Sequence, residues 1–443
     1  MGVAFGTDGI RGAANVELSA EVAVALGRAA TTVLGTGTWL VGADTRASSP
    51  MLAAALSAGL ASSGADVVDL GVLPTPGIAY HAQARAAPAA VVSASHNRWT
   101  DNGIKLLAPG GRKLTDALEA AVAANLTATH HPTSPVVGTI APAGDPIGPY
   151  AAHLVASLEG RSLEGWLVAV DCANGAASAV APRVLRAAGA EVIVINDAPD
   201  GTNINDDCGS THPDGLRRAV LGAGAAAGLA FDGDADRVIA VAGDGSVVDG
   251  DRIIAICAAD LHRRGRLRGD RVALTIMSNL GLRHALAAAG IGVAETPVGD
   301  RYVLEAMERE DLALGGEQSG HVIFRDLATT GDGILTGLVL LDVVARSGRS
   351  LAELSTGAMT RLPQVLRNVA VAVAERDAVA VSPDVAAAVA AAEEELGGSG
   401  RVLLRASGTE PLVRVMVEAP TEDQATAIAD RLSEKVRRLA ASR

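Results

Sequence analysis

Short runs of Val, Ile, Leu and Ala alternate with Ala-rich amphipathic stretches along most of this chain. Strand-like runs at 38–41, 67–70, 167–170, 191–195, 238–241 and 272–276 are interleaved with helix-like segments at 19–34, 50–63, 116–126, 181–188 and 280–289. That rhythm predicts βαβ units, with mixed or parallel sheets layered against helices in an α/β fold. A chain of 443 residues is too long for one core and should divide into about three or four domains.

Three breaks place the boundaries. A Pro/Gly/Thr-rich stretch at 130–149 reads as a linker before a helix. A Gly/Asp-rich stretch at 243–251 precedes a new helix at Arg252, and the pattern changes again at Leu362-Pro363. The expected domains are therefore 1–149, 150–250, 251–363 and 364–443. The last reads strand, helix, strand, strand, helix, which is α+β. Its final helix opens on a capping box, Thr421 to Gln424.

Composition excludes several classes. The 37 basic and 50 acidic side chains leave a formal net charge of −13, with no basic block. Such a chain fits neither nucleic acid nor an anionic membrane surface, so an anionic ligand would need locally clustered Arg and Lys. Cys172, Cys208 and Cys257 form no CxxC pair, which suggests a reducing compartment. With no signal-like N-terminus and no apolar run of spanning length, the expected location is the cytoplasm.

Four segments carry candidate chemistry, and a fifth, Phe5 to Gly12 with Arg11, is a charged turn that alone would mean little. An apolar run, Ala89 to Val92, runs into Ser93-Ala-Ser95-His96-Asn97, with a candidate nucleophile, Ser95, at its mouth. Neighbours on an extended chain point apart, so a Ser95–His96 dyad is not implied. Lys105 follows an apparent Asp101-Asn102-Gly103 turn and could return toward the serine as an acid/base group or phosphate partner. In GLAFDGDADRVIAV, Asp232, Asp234 and Asp236 alternate at a strand exit, with Gly233 to permit a bend and Arg237 directly after. Three such carboxylates repel one another without a cation, and oxygen ligands of this kind suit Mg²⁺. Gly315 to His321 is a glycine-loosened loop whose Glu317, Gln318, Ser319 and His321 could read sugar hydroxyls. Arg405, Ser407, Gly408 and Thr409 lie between two apolar runs, where small residues let the backbone close around an anion. Taken singly, each segment also fits a solvated turn, and Lys105 a surface lysine.

Taken together and in order, FGTDGIRG, SASHN…DNGIK, DGDADR, GGEQSGH and RASGTEP resemble the α-D-phosphohexomutase superfamily, and TIMSNLGL and TPVGDRYV resemble its phosphoglucosamine mutase branch. The resemblance covers nearly the whole chain. It implies four domains around a central cleft, three of them related α/β units and the fourth α+β. It implies interconversion of glucosamine 6-phosphate and glucosamine 1-phosphate, a step toward amino-sugar nucleotides. Ser95 would be the phosphoserine, and Asp232, Asp234, Asp236 and a phosphoserine oxygen would hold Mg²⁺. Arg11 and Arg237 would stabilise the phosphoryl group, Lys105 would act as acid/base, and His321 would assist. Glu317 and Ser319 would grip sugar hydroxyls, while Arg405, Ser407, Gly408 and Thr409 would hold the phosphate that is not reacting. The implied primer is glucosamine 1,6-bisphosphate or glucose 1,6-bisphosphate. The implied partner is a small-molecule sugar phosphate, with a homodimer left open.

One position departs from that pattern. The family's serine loop continues His-Asn-Pro, whereas here Arg98 follows Asn97. Proline fixes the backbone and arginine does not, which puts the loop's rigidity in question. Arg98 either adds charge near the serine or points to solvent. The competing expectations are a phosphomannomutase/phosphoglucomutase, an aspartyl phosphatase using Asp232 or Asp234 as nucleophile, and a non-catalytic sugar-phosphate sensor.

Overall fold

The structure, a computed structural model, describes residues 5–6, 9–127, 135–407 and 411–441. Two compact units emerge, Met1–Met277 with Gly290–Ala358, and Ser278–Ala289 with Met359–Arg443.

The first unit contains three mixed sheets, and the same strand order recurs in each. In the first, Thr38–Ala43 lies between Asp66–Val72 and Ala89–Val92, all parallel, and Asp101–Ala108 adds antiparallel to Ala89–Val92. In the second, Leu167–Asp171 lies between Glu191–Ile195 and Ala227–Phe231, and Val238–Ala242 adds antiparallel to Ala227–Phe231. In the third, Arg271–Thr275 lies between Gly292–Thr296 and Leu314–Gly316, and Val322–Phe324 adds antiparallel. Each set of four, counted in chain order, reads second, first, third, reversed fourth. The three α/β units expected to be related therefore share one topology.

Two local expectations change. Asp101-Asn102-Gly103 is not a turn but the start of the strand Asp101–Ala108, which also pairs with Gly9–Ala13. The 130–149 stretch holds a short edge strand, Ile140–Pro142, parallel to Asp66–Val72. Polar and proline-rich flanks hid it, and all three of its residues are exposed.

The cores are aliphatic because aromatics make up only 2% of the chain. In the first sheet's layer the helices Ala20–Leu34 and Ser49–Ser62 bury Leu26, Leu52, Leu56 and Leu60 beside Trp39. Each fully buried Leu contributes about 1.5–3 kcal/mol. Ser19 caps the first of these helices by accepting from the Val22 N–H.

The second unit is α+β, as expected. Its antiparallel sheet is ordered Gln364–Ala370, Leu412–Glu418, Arg401–Ala406. The single helix expected before Arg401 is two, Val373–Ala380 and Pro383–Leu396, because Ser382 caps the second and Pro383 sits in its first turn. The final helix, Glu422–Ala441, starts where Thr421 Oγ1 accepts from Gln424 N–H at 3.3 Å. Helix Leu280–Ala288 also belongs to this unit, tied in by Asn279 and Glu418. No helix among the described residues is long and apolar enough to cross a membrane.

Candidate active site

In each of the three repeated sheets, the connection from the third strand to the reversed fourth carries a candidate segment. These are residues 93–100, 232–237 and 317–321, at the carboxyl ends of parallel strands, where open α/β sheets place ligands.

Ser95 is 1% exposed and holds a left-handed backbone, φ 53°. That conformation costs a non-glycine residue about 1–3 kcal/mol and is tolerated where surroundings impose it. Its N–H donates to Ser93 Oγ at 3.0 Å, and its Oγ donates to Asp232 Oδ2 at 2.6 Å. The turn also brings His96 Nδ1 to 3.4 Å from Ser95 Oγ, so the expectation that the two side chains diverge does not hold. That expectation assumed an extended chain. The contact is still not a catalytic dyad. Burial, Arg237 and Arg11 push the His96 imidazole down to about 4, and Arg237 Nη1 already donates to Nδ1 at 3.1 Å. The serine proton goes to the shorter partner, Asp232.

Asp232, Asp234 and Asp236 are all buried, and one oxygen from each lies within 4.8 Å of the others. The bend that gathers them is at Ala235, φ 56°, rather than at Gly233. Gly233 serves another purpose, since a Cβ there would meet the Ser95 carbonyl oxygen at 2.6 Å. Its missing side chain lets the aspartate and serine loops touch. Burial and repulsion from Asp236 and Asp234 push the Asp232 carboxyl well above its usual range. Burial works the same way on Asp236, but His321, Lys105 and Arg237 outweigh it and hold that carboxyl well below. Arg237, despite burial, is held more firmly charged by Asp236 and Asp232.

Lys105 does return to the site. Its Nζ lies 3.1 Å from Asp234 Oδ2 and 3.9 Å from Asp236 Oδ2. Asp234 Oδ1 and Asp236 Oδ1 are buried with no hydrogen-bond partner. Orphaned carboxylate oxygens beside a serine hydroxyl fit a hard divalent cation.

The third segment contributes Glu317, Ser319 and His321. Glu317 Oε1 accepts from Gly299 N–H at 3.1 Å, and Ser319 Oγ donates to Glu317 Oε2 at 3.3 Å. His321 is 2% exposed, with Nδ1 3.5 Å from Asp236 and Nε2 3.6 Å from Asp300. Burial lowers its proton affinity, but the Asp236, Asp300 and Glu317 carboxylates raise it overall. Gly331 N–H lies 3.1 Å from Nε2, while Nδ1 faces Asp236. Asp249 is the N-cap of helix Gly250–Arg263, and Asp244 closes a turn with Ser246.

Arg11 lies on Gly9–Ala13 opposite Gly103, close enough to act on His96. Arg98 is exposed. In the second unit Arg405 stands across the sheet from Arg414, and burial together with that neighbour lowers its proton affinity. Ser407 is buried where its strand ends, its N–H donating to Leu412 O at 2.9 Å. Gly408 and Thr409 lie outside the described residues.

The structure adds residues that motif reading missed. Thr75 Oγ1 donates to Asp234 Oδ2 at 2.7 Å, and Thr75 N–H to Asp234 O at 3.0 Å. Asp44, Arg46 and Asn205 surround the serine loop. Asp44-Thr45-Arg46 leaves the strand beside Ala89–Val92, so its position at the sheet's carboxyl edge was the available signal.

Comparison with known proteins agrees with this layout. The phosphoglucomutase/phosphomannomutase α/β/α domains I, II and III match residues 2–132, 149–245 and 249–362, and the C-terminal domain of that family matches 369–435. A phosphoglucosamine mutase of Thermobifida fusca is 54% identical over 442 residues, covering 98% of each chain. A phosphoglucomutase/phosphomannomutase family protein of Burkholderia thailandensis superposes with a TM-score of 0.83 at 26% identity, covering 98% of each chain. An Aspergillus fumigatus N-acetylphosphoglucosamine mutase, solved with GlcNAc-6P and magnesium, shares the fold with a TM-score of 0.72 at 21% identity, covering 98% of this chain and 96% of that one. On fold, ordered site loops and full-length identity, the chain belongs to the phosphoglucosamine mutase family of the phosphohexomutases.

Proposed function

We propose that this chain interconverts glucosamine 6-phosphate and glucosamine 1-phosphate, with Ser95 as the phosphoryl carrier. The observation that carries the reading is the 2.6 Å hydrogen bond from Ser95 Oγ into a buried trio of aspartates with orphaned oxygens. The identity to the Thermobifida fusca enzyme supports the choice of amino sugar.

In the forward half-reaction the Oγ–P bond of phospho-Ser95 breaks as a sugar hydroxyl forms its own O–P bond. A 1,6-bisphosphate results, and after it turns over, its other phosphate returns to Ser95. Proton balance closes within the site. As the Oγ–P bond breaks, the sugar hydroxyl gives up one proton and the Ser95 oxygen gains one. Lys105 is assigned the sugar side and Asp232, hydrogen-bonded to Oγ, the serine side, and both transfers reverse when the phosphate returns. Arg237 and Arg11 place fixed positive charge where the phosphoryl charge spreads, which is most of the catalysis such a transfer needs. Asp232, Asp234, Asp236 and an oxygen on Ser95 would hold Mg²⁺, which when bound neutralises phosphoryl charge as a Lewis acid. Glu317 and Ser319 are assigned to sugar hydroxyls, with His321 fixing Asp236. Arg405, Ser407, Gly408 and Thr409 are assigned to the distal phosphate. A hexose 1,6-bisphosphate of the glucosamine or glucose type is the assigned primer.

The four domains are proposed at 1–149, 150–250, 251–363 and 364–443, supported by the four sheets and the four family matches. The three free cysteines are all buried, which fits a cytoplasmic enzyme. Solution sizing tests a homodimer.

The experiment is intact-mass and phosphopeptide analysis of purified protein, combined with turnover of glucosamine 6-phosphate. A phosphoryl adduct of about 80 Da on Ser95 and isomerisation under Mg²⁺ support the reading. Rapid phosphate release without a Ser95 adduct would instead indicate an aspartyl phosphatase, and ligand binding without isomerisation a sensor. A strong preference for mannose 1-phosphate would move the assignment to a phosphomannomutase.

A further inference from the structure

We infer that Arg46, seated on Asp44 and opposed by Asn205, is the positioning residue that holds Ser95 in its left-handed, transfer-ready conformation. The inference rests on Ser95 being the phosphoryl carrier.

Arg46 is 0% exposed, and nearly all of its donors point at one loop. Nη2 donates to the carbonyls of Ser95 and Asn97, both at 2.9 Å. Nη1 donates to the carbonyls of Arg98 and, at 3.2 Å, Asp101. One guanidinium thus gathers the negative ends of four peptide groups that span the serine loop. Only a planar fork with several fixed donors can do this, and a lysine ammonium cannot.

The fork is itself fixed. Arg46 Nε donates to Asp44 Oδ2 at 2.8 Å and its N–H to Oδ1 at 3.1 Å. Asp44 also accepts from Ser49 Oγ and Ser93 Oγ, each at 2.7 Å. Ser93 Oγ in turn accepts the N–H of Ser95. The same carboxylate therefore reaches the serine from both sides, through Arg46 to its carbonyl and through Ser93 to its amide. From the second sheet's unit, Asn205 Nδ2 closes the clamp on the Ser95 and Asn97 carbonyls at 2.9 and 3.0 Å.

A buried ion pair is weak evidence of stability, since desolvation offsets much of its attraction. Its directional bonds do specify one backbone geometry. Here that geometry includes a residue at φ 53°, in a loop where an arginine, not a ring-constrained proline, follows Asn97. The side-chain clamp does from outside what a ring would do from within. Among the described residues, no hydrogen bond or ion pair joins Asp44, Arg46 or Asn205 to Glu317 or Ser319.

The test compares wild type, Arg46→Lys and Asn205→Gly. Glycine keeps the left-handed backbone of Asn205, φ 57°, while removing its amide. The expected result is a fall in kcat of about 100-fold for Arg46→Lys and about 10-fold for Asn205→Gly, as misplaced reacting groups produce. KM for glucosamine 6-phosphate stays within about 3-fold, and transfer from glucose 1,6-bisphosphate onto Ser95, followed by intact mass, slows in parallel. A purely structural role would lower the melting temperature and the folded fraction but leave kcat per folded molecule unchanged, and that result overturns the proposal. If Arg46→Lys does not fold, Asn205→Gly decides alone. Wild-type protein that never carries phosphate on Ser95 removes the parent reading. Phosphorylated wild type alongside variants of full speed removes only the clamp.

Discussion

The serine loop and the aspartate loop occupy the same place in two copies of one topology, yet they are built on opposite terms. Around Ser95 the polar atoms find partners. Carbonyls meet Arg46 and Asn205, the amide meets Ser93, and the hydroxyl meets Asp232. Around Asp234 and Asp236, buried oxygens are left without hydrogen bonds, and three carboxylates crowd together. The first loop is satisfied by the protein, and the second is completed only by something that arrives. A group that must be presented in one pose needs the first arrangement. A group that must bind a cation needs the second.

The comparison can be broken in several ways. The largest effect is expected from Ser95→Ala, which should reduce isomerisation by at least about 10⁴-fold, as loss of a covalent carrier does. Turnover at the original rate would remove the serine loop's assigned task. Next, Asp234→Asn should cut kcat by about 10²–10³-fold, typical for one charge-stabilising group. An unchanged kcat would mean that the trio does not serve the transfer.

Adding Mg²⁺ to chelator-treated wild type should stabilise it by about 2.7 kcal/mol at a hundred times the dissociation constant. Calorimetry with the Asp234→Asn variant should show most of that gain lost. A smaller effect concerns pH. His96 is depressed in the folded state to about 4, so unfolded chains bind its proton first as pH falls. Its contribution to stability is intact above about 6.5, the unfolded value, and is lost progressively toward 4. His96→Asn should flatten denaturation midpoints across that window, and an unchanged slope would show the ring is not buried neutral. The smallest effect is expected from Arg98→Ala. This exposed side chain should change activity by less than about 3-fold and stability by less than about 0.5 kcal/mol.

Much of the molecule was legible from local pattern. Strands such as 191–195 and helices such as 280–289 were visible because their periodicity is set by which side faces a core. The serine, the aspartates and Lys105 were visible because their chemistry is unusual at a strand exit. What escaped was geometry that depends on distant partners. A left-handed Ser95 is not encoded in Ser-Ala-Ser, being imposed by Arg46 from 49 positions away. Gly233 looked like a hinge, yet its role is clearance for a neighbouring carbonyl. Asp101-Asn102-Gly103 carries every sign of a turn, but its pairing with Arg11, Gly12 and Ala13, continued where Ile104 to Leu107 pair with Ala89–Val92, overrides that preference. Asp44-Thr45-Arg46 resembles any charged loop until its neighbours are known.

The recurring strand order has a further consequence. The segments proposed as phosphate carrier, cation seat and hydroxyl reader each lie on the same hairpin-like corner of a repeated scaffold. Each corner is free to change its side chains while the sheet beneath continues to aim it. On those proposed roles, substrate preference can drift at 317–321 without disturbing 93–100 or 232–237. A scaffold copied three times separates the evolution of what is recognised from the evolution of how it is transformed.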